Sequence, residues 1–269
     1  MFKKLILSSV FVSILLSDTF QNINIEGLSS KRVLSVTQDS SGFVWIGTDE
    51  GLNRFDGYLN KTYRSNVYKE NTLSGNRIWI SYIDRNNTLW IGTDRGVCYY
   101  NENEDEFTRI ETGSKPLHVI EDESSVYFTT TSKGVVKVSK DTKGTTFYQF
   151  DPLDPFSLSS SRFSDLQIKP IAKEKDHLWV GTTNGLNQVN IKTGQIKRFY
   201  SGKTDLVKAD TISSVLVTQR GLYIGTTKGL TFLGSDQNAN IKGVTDKNVV
   251  ALFEIKEINQ VAAIFKDEI

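Results

Sequence analysis

In "RVLSVTQD", residues 32–39, apolar and polar side chains alternate as in a half-buried strand, and the next three runs, "FVWIGT", "GLNRFD" and "LNKTYRS", read the same way. Asp, Ser, Asn and Gly gather between such runs, at "DSSG", "DRNN" and "KTG", so the pattern predicts short strands joined by tight turns. The first strand of the set is expected innermost and the fourth at the outer edge. The whole unit then recurs: "VWIGTDEGLNRF", "LWIGTDRGVCYY", "LWVGTTNGLNQV" and "LYIGTTKGLTFL" are close copies, and "YFTTTSKGVVKV" is a weaker one. In the weaker copy Phe128 is aligned with the Trp position and Thr130 with the glycine. Taking Gly47, Gly92, Thr130, Gly181 and Gly225 as equivalent, the intervals are 45, 38, 51 and 44 residues. A period in the forties with several short strands per unit predicts an all-β chain, a β-propeller of four-stranded blades. Five blades are expected, with a truncated sixth whose two strands fall at residues 248–255 and 261–265.

Packing alone accounts for the repeated residues. The Trp is a large apolar wedge between neighbouring blades, the first Gly permits close backbone approach, and the second allows the positive φ of a tight hairpin. Asp39, Asp84 and Asp122 recur at the end of the inner strand, where a carboxylate can accept from the free N–H groups of the turn; their repetition points to structure, not catalysis.

These residues resemble the two-component regulator propeller repeat, whose units run approximately "SLSSN-V-I-D-G-LWIGT-GL-R-FD". The best matches are "LSSKRVLSVTQDSSGFVWIGTDEGLNRFDG" from Leu28 and, for the loop and inner strand, "LDPFSLSSSRFSDLQ" from Leu153. The third unit departs in lacking the Trp and its Gly, and the fifth in the shortened turn of "TQRGLYIGT". The resemblance implies a seven-bladed ring, of which this chain would supply an incomplete part, as a fragment, a frameshifted product or a remnant of a longer sensor. It also implies an exported sensor region of a bacterial signalling protein: a second propeller, a β-sandwich, one membrane helix and a cytoplasmic histidine kinase or diguanylate cyclase, with several such sensors responding to oligosaccharides.

Composition narrows this further. The opening "MFKKLILSSVFVSILLSDTF" sets Lys3 and Lys4 ahead of an apolar run too short for a spanning helix, the shape of a secretory signal peptide over residues 1–20, with an uncleaved anchor as the alternative. The propeller then occupies residues 21–269, in a periplasmic setting. Lys and Arg number 32 against 31 for Asp and Glu, which offers no general attraction to nucleic acid or anionic lipid. The membrane would be reached only through the leader or a following segment. Cys98 is the single cysteine, so no internal disulfide is available, and its strand-like neighbours predict a buried, inert thiol.

Ligands are expected on the face that carries the loops into the inner strands and the hairpins between second and third strands. The residue before each inner strand is read as Arg32, Arg77, His118, Arg162, Thr211 and Asn248, which would ring one mouth of the central channel. Guanidinium groups there would hold carboxylate or sulfate; equally, Arg is a common residue at an exposed strand entrance. Tyr68 and Phe156 lie in the same loops, as stacking platforms for sugars or, for Phe156, as a plug between blades. The acidic runs "NENEDEF" and "EDES" read as solvated turns. Two histidines in different units do not predict a metal site, and no cofactor motif is present.

The leading expectation is therefore a non-enzymatic sensory module that binds an extracellular ligand, an oligosaccharide, and signals through a homodimer. A propeller-fold carbohydrate-active enzyme would need paired carboxylates converging on one pocket, whereas the recurrent acids map to turns. A protein-interaction scaffold is the third reading.

Overall fold

The computed structural model describes residues 25–163, 169–234 and 242–266. The leader expected over residues 1–20 lies outside the described residues. Five four-stranded antiparallel meanders follow one another along the chain. The first contains β1 (Val33–Gln38), β2 (Val44–Thr48), β3 (Leu52–Phe55) and β4 (Asn60–Tyr63), and the second β5 (Ile78–Ile83), β6 (Leu89–Thr93), β7 (Gly96–Asn101) and β8 (Glu106–Ile110). The third contains β9 (Pro116–Glu121), β10 (Ser125–Thr130), β11 (Val135–Ser139) and β12 (Thr145–Tyr148). The fourth contains β13 (Ile171–Glu174), β14 (His177–Thr182), β15 (Gly185–Asn190) and β16 (Ile196–Phe199). The fifth contains β17 (Ile212–Thr218), β18 (Gly221–Thr226), β19 (Gly229–Gly234) and β20 (Lys242–Thr245). A last sheet pairs β21 (Val249–Ile255) with β22 (Gln260–Phe265). First strands stand side by side, β1 against β5, β5 against β9, β9 against β13, β13 against β17 and β17 against β21. Blades radiating from a row of inner strands are the expected all-β propeller arrangement.

Each interface between blades is its own small core. Trp45 packs with Leu73, Ile78, Ile91 and Phe107 of the second blade, and Trp90 with Val126, Phe128, Val136 and Val138 of the third. Tyr127 meets Leu158, Ile171 and Leu178, and Trp179 meets Ile212, Val215 and Ile224. Both Trp45 and Trp90 are essentially fully buried. An aromatic wedge of this size removes about 150–250 Å² from water, a gross stabilisation of about 4–6 kcal/mol as an upper bound.

The wedge is aimed by the recurrent acid. Asp39 Oδ1 accepts from the Ser41 and Phe43 amides at 3.0 Å, while Oδ2 accepts from Trp45 Nε1 at 2.7 Å. Asp84 repeats this with Asn86, Thr88 and Trp90, and Asp122 with Ser124, Ser125 and the Tyr127 hydroxyl. In the fourth blade Glu174 takes over, accepting from Trp179 Nε1 at 2.8 Å. The fifth blade's two-residue turn is held instead by Thr218, whose hydroxyl donates to the Gly221 carbonyl at 3.3 Å and accepts from the Arg220 amide at 3.1 Å.

Two sequence readings are corrected. In the third blade the hydroxyl of Thr130 donates to the Gly134 carbonyl, as Thr48 donates to Gly51, and Thr129 pairs with Val135 as Gly47 pairs with Leu52. Tyr127 and Thr129 therefore stand where Trp and Gly do elsewhere, one residue before Phe128 and Thr130; a run of three threonines gave no glycine by which to set the register. The acidic runs are not simply solvated either. Asp105 accepts from the hydroxyls of Tyr63 and Tyr100, each at 2.6 Å, and pairs with Lys61. Glu121 pairs with the buried Lys140, and Asp122 caps its turn. Cys98 is fully buried, as expected, and burial pushes its thiol up to about 11.

Two stability measurements check this account. Asp84→Ala leaves the buried Trp90 N–H and two turn amides without their acceptor, and is expected to cost about 2–3 kcal/mol in urea unfolding. Combined with Trp90→Phe, the double variant should fall short of the summed costs by about 1 kcal/mol. Burial alone would raise the Asp105 carboxyl, but hydrogen bonds from Lys61, Tyr100 and Tyr63 outweigh it and lower it from 3.8 to about 2. A depressed carboxyl stabilises the fold above its unfolded value and loses that contribution as pH falls through the folded value. Thermal unfolding should thus show a loss between about pH 4 and pH 2 that is flattened in Asp105→Asn.

Candidate functional site

Because each blade is an antiparallel meander, the start of its first strand, its second hairpin and the end of its fourth strand lie on one face. The second hairpins are built alike. Thr48 Oγ1 donates to the Gly51 carbonyl at 2.9 Å and accepts from the Glu50 amide at 3.1 Å, and Thr93, Thr182 and Thr226 do the same in their blades. Gly51 adopts φ +147°, and a Cβ there would lie 2.8 Å from the Tyr63 carbonyl oxygen. The hairpin tip therefore accepts only glycine without strain.

Long loops cross this face from the outer strand of one blade to the inner strand of the next. Ser29, in the segment entering the first blade, and Ser159, in the loop between the third and fourth blades, donate their amides to Asn53 and Asn187 at 2.9 and 2.8 Å, and their hydroxyls meet Thr48 and Thr182. The two asparagines are fully buried and donate back to the Ile46 and Val180 carbonyls. Further out, Arg109 of β8 donates to the carbonyls of Asn66, Lys69 and Thr72 and to the Thr72 hydroxyl at 2.8–3.0 Å. Arg198 of β16 holds Asp154 and Ser157 in the same manner. These four positioning residues escape the sequence reading, since their partners lie roughly 25–45 positions away. The one local signal was that "LSS" and "GLN" occur together in the same two units.

The structure places the expected site residues unevenly. Arg32 directly precedes β1 and Arg77 directly precedes β5, both exposed. His118 does not occupy this slot. It sits inside β9 opposite Thr129, and Lys115 directly precedes the strand. Equivalence is confirmed by the hairpins: the carbonyls of Arg77, Lys115 and Thr211 accept from the Asp94, Thr131 and Thr227 amides. Arg162 keeps the loop position, its amide bonded to Ser160 as that of Arg32 is to Ser30, yet β13 begins only at Ile171. An insertion, partly outside the described residues, separates Arg162 from its strand. Asn248 directly precedes β21.

Tyr68 is 94% exposed at the tip of its loop. Phe156 is 67% exposed and is not a plug; Leu73 and Leu158, fully buried, plug the two loops instead. Phe156 lines a groove of about 650 Å³ with His177, Lys197, Arg198 and Tyr200. Arg77 lines a smaller cavity of about 360 Å³ between the first two blades. Lys115 Nζ lies 3.9 Å from the centre of the Trp79 ring, and the Arg77 guanidinium 5.7 Å from it. On the opposite face a cleft of about 680 Å³ is lined by Glu121, Asp122, Lys137, Lys173 and Lys175. Its Glu121 carboxyl, which burial would raise, is held below its ordinary value by Lys140, the Arg85 amide and Tyr82. Among the described residues, no cluster of three or more His, Cys, Asp or Glu side chains is placed to hold a metal ion.

The loop clamp has a direct test. Arg109→Ala removes four hydrogen bonds from the loop of residues 66–72, so amide hydrogen exchange there should quicken by about tenfold or more while the strands stay protected. Lysine at the same position, lacking the planar fork, should recover little of the protection.

Comparison with known proteins matches this geometry. The family model described as two component regulator propeller matches residues 27–50 and 72–95, the stretches that carry the first two hairpins, Arg32 and Arg77. Histidine kinase P4 of Formosa agariphila is 44% identical over 50 residues, 19% of this chain and 4% of that protein. Among solved structures, the extracellular domain of BT3049 of B. thetaiotaomicron, assigned to a hybrid two component system, superposes with a TM-score of 0.62 over 91% of this chain at 23% identity. The extracellular domain of BT4673 from the same organism, assigned to a one component system, gives a TM-score of 0.60 over 91% at 24% identity. The chain spans only 34% and 32% of those two structures. The fold is thus a β-propeller, and its first two units, at residues 27–50 and 72–95, match the two component regulator propeller repeat.

Proposed function

We propose that this propeller is the extracellular sensory part of a bacterial two-component signalling protein and that its loop-bearing face binds an acidic oligosaccharide. The observation that carries the ligand reading is the repeated slot before the inner strands. Arg32 and Arg77 fill it in consecutive blades, Lys115 fills it in the third, and Arg162 extends from the matching loop of the fourth. Among the described residues, none of the three arginines pairs with a carboxylate. An arginine guanidinium can meet carboxylate or sulfate through two parallel hydrogen bonds. The exposed rings of Tyr68 and Phe156 on the same loops supply apolar faces for sugar rings.

The sensory reading draws on the repeat family and on the two structural neighbours, both extracellular domains. In this reading an N-terminal leader exports the module to the periplasm. In this reading the bound ligand favours one of two dimer arrangements, and the bias passes through a membrane segment to a histidine kinase or diguanylate cyclase. A ligand shifts such an equilibrium only by its difference in affinity for the two arrangements.

Calorimetry with a panel of uronic-acid-containing and sulfated oligosaccharides tests the ligand class. Binding that weakens about tenfold or more in Arg32→Ala/Arg77→Ala/Arg162→Ala, with unchanged thermal unfolding, is the expected result. Equal affinity of the triple variant, or preference for neutral oligosaccharides, contradicts it.

A further inference from the structure

The loops that enter the second and fourth blades share one plan, which lets their residues be matched one to one. Arg109 holds the carbonyls of Lys69 and Thr72, and Arg198 those of Asp154 and Ser157, so Asn71 and Phe156 occupy equivalent positions. On the outer strands Arg109 pairs with Cys98 as Arg198 pairs with Asn187. Glu106, Thr108 and Glu111 of the second blade therefore correspond to Gln195, Lys197 and Tyr200 of the fourth.

In the second blade the loop closes onto the outer strand. The Phe107 amide donates to the Asn71 carbonyl at 3.1 Å, and the Asn71 side chain bonds Glu106. In the fourth blade no bond joins the Ile196 amide to the Phe156 carbonyl, and the Phe156 side chain stands exposed. A groove of about 650 Å³ lies there, with Phe156, Gln188, Gln195, Lys197, Arg198 and Tyr200 in its lining. That volume falls within the about 300–1,000 Å³ typical of small-molecule sites. The exchanged residues all shift the chemistry one way: two carboxylates are replaced, and two aromatic rings and an ammonium take their places beside the groove. No carboxylate lines it. The acids adjacent in sequence are engaged elsewhere, Asp154 Oδ1 accepting from the Phe156 amide at 2.8 Å and Asp176 pairing with Lys192 at 2.7 Å. Neither Lys197 nor Arg198 has an ion-pair partner among the described residues.

We infer that this groove on the flank of the fourth blade is a second contact site for the acidic oligosaccharide, Phe156 and Tyr200 taking the apolar face of a sugar and Lys197 its anionic group. The inference rests on the acidic-oligosaccharide reading for the class of ligand and extends it beyond the strand entrances. Side-chain amides both donate and accept, so Gln188 and Gln195 suit hydroxyl groups in either sense. A neutral sugar would leave the charge of Lys197 unanswered, and a bare anion would leave the rings uncovered.

The test uses the full chain, ¹⁵N-labelled, titrated with methyl glucuronide and separately with methyl glucoside while NMR follows the backbone amides of Ile196 and Lys197. The glucuronide should shift both amides and bind more tightly than the glucoside. Gln195→Glu, which gives the fourth blade the second blade's carboxylate, should weaken the glucuronide about fivefold or more and leave the glucoside unchanged. Phe156→Ala should weaken both sugars about threefold or more. Both side chains are exposed, so thermal unfolding of either variant should match the parent. No shift at either amide, equal affinity for the two sugars, or glucuronide binding indifferent to both substitutions overturns the groove. If acidic oligosaccharides bind and depend on Arg32, Arg77 and Arg162 but not on Gln195 or Phe156, the groove falls and the strand-entrance reading survives. If the glucuronide binds as expected while the triple arginine variant holds oligosaccharides as the parent does, the strand entrances fall and the groove stands. If no acidic saccharide binds, both fall.

Discussion

A missing side chain lets the blades of this propeller come together. In β18 a Cβ on Gly225 would lie 2.6 Å from Val249 Cγ1, the first residue of the next inner strand, and Gly181 would meet Ile212 Cγ2 at 2.4 Å in the same way. Gly47 is placed likewise against Ile78 and Gly92 against Pro116, each 2.6 Å from the nearest atom of the following blade. None of these four adopts a left-handed backbone, so space and not conformation requires the glycine. With the seat open, the next inner strand settles close enough for the Trp wedge to bury its full face, and the acid at the preceding turn fixes the wedge's polar edge. The third blade is the exception, with Thr129 in the seat.

Close blade packing also determines what the loop-bearing face can present. Once inner strands are in register, the hairpins of one blade stand beside the strand entrance of the next, which sets Asp49 beside Arg77 and Trp79 beside Lys115. The loop between the third and fourth blades is pinned by Asn187 and Arg198 and that between the first and second by Arg109, while Asn53 holds the segment entering the first blade. Charged side chains on this face are therefore carried by rigid elements, the condition under which separate groups act together on one ligand.

Most of this architecture was legible in the sequence because strand alternation, the Trp wedge, the two glycines and the turn acid are local signals that recur. The reading slipped where a unit lost those signals. Without a glycine, "YFTTTS" was set one residue out of register, and the same uncertainty gave His118 the position that belongs to Lys115. The insertion after Arg162 is invisible to alignment by motif alone, and Phe156 looked like a plug because Leu158, the real one, is a less conspicuous apolar residue. Contacts formed only across the fold, such as Arg109 on the loop of residues 66–72 or the unsatisfied Asp49, carry no sequence signature.

A double-mutant cycle on Gly225 and Val249, read by chemical denaturation, tests the seating constraint most directly. Gly225→Ala should cost about 1–3 kcal/mol by overpacking, and Val249→Ala about 1–3 kcal/mol by lost burial. Together they should cost less than the sum by about 1 kcal/mol or more, since shortening Val249 reopens the space the new methyl needs. Costs that add to within about 0.5 kcal/mol, or a Gly225→Ala variant as stable as the parent, would contradict the account.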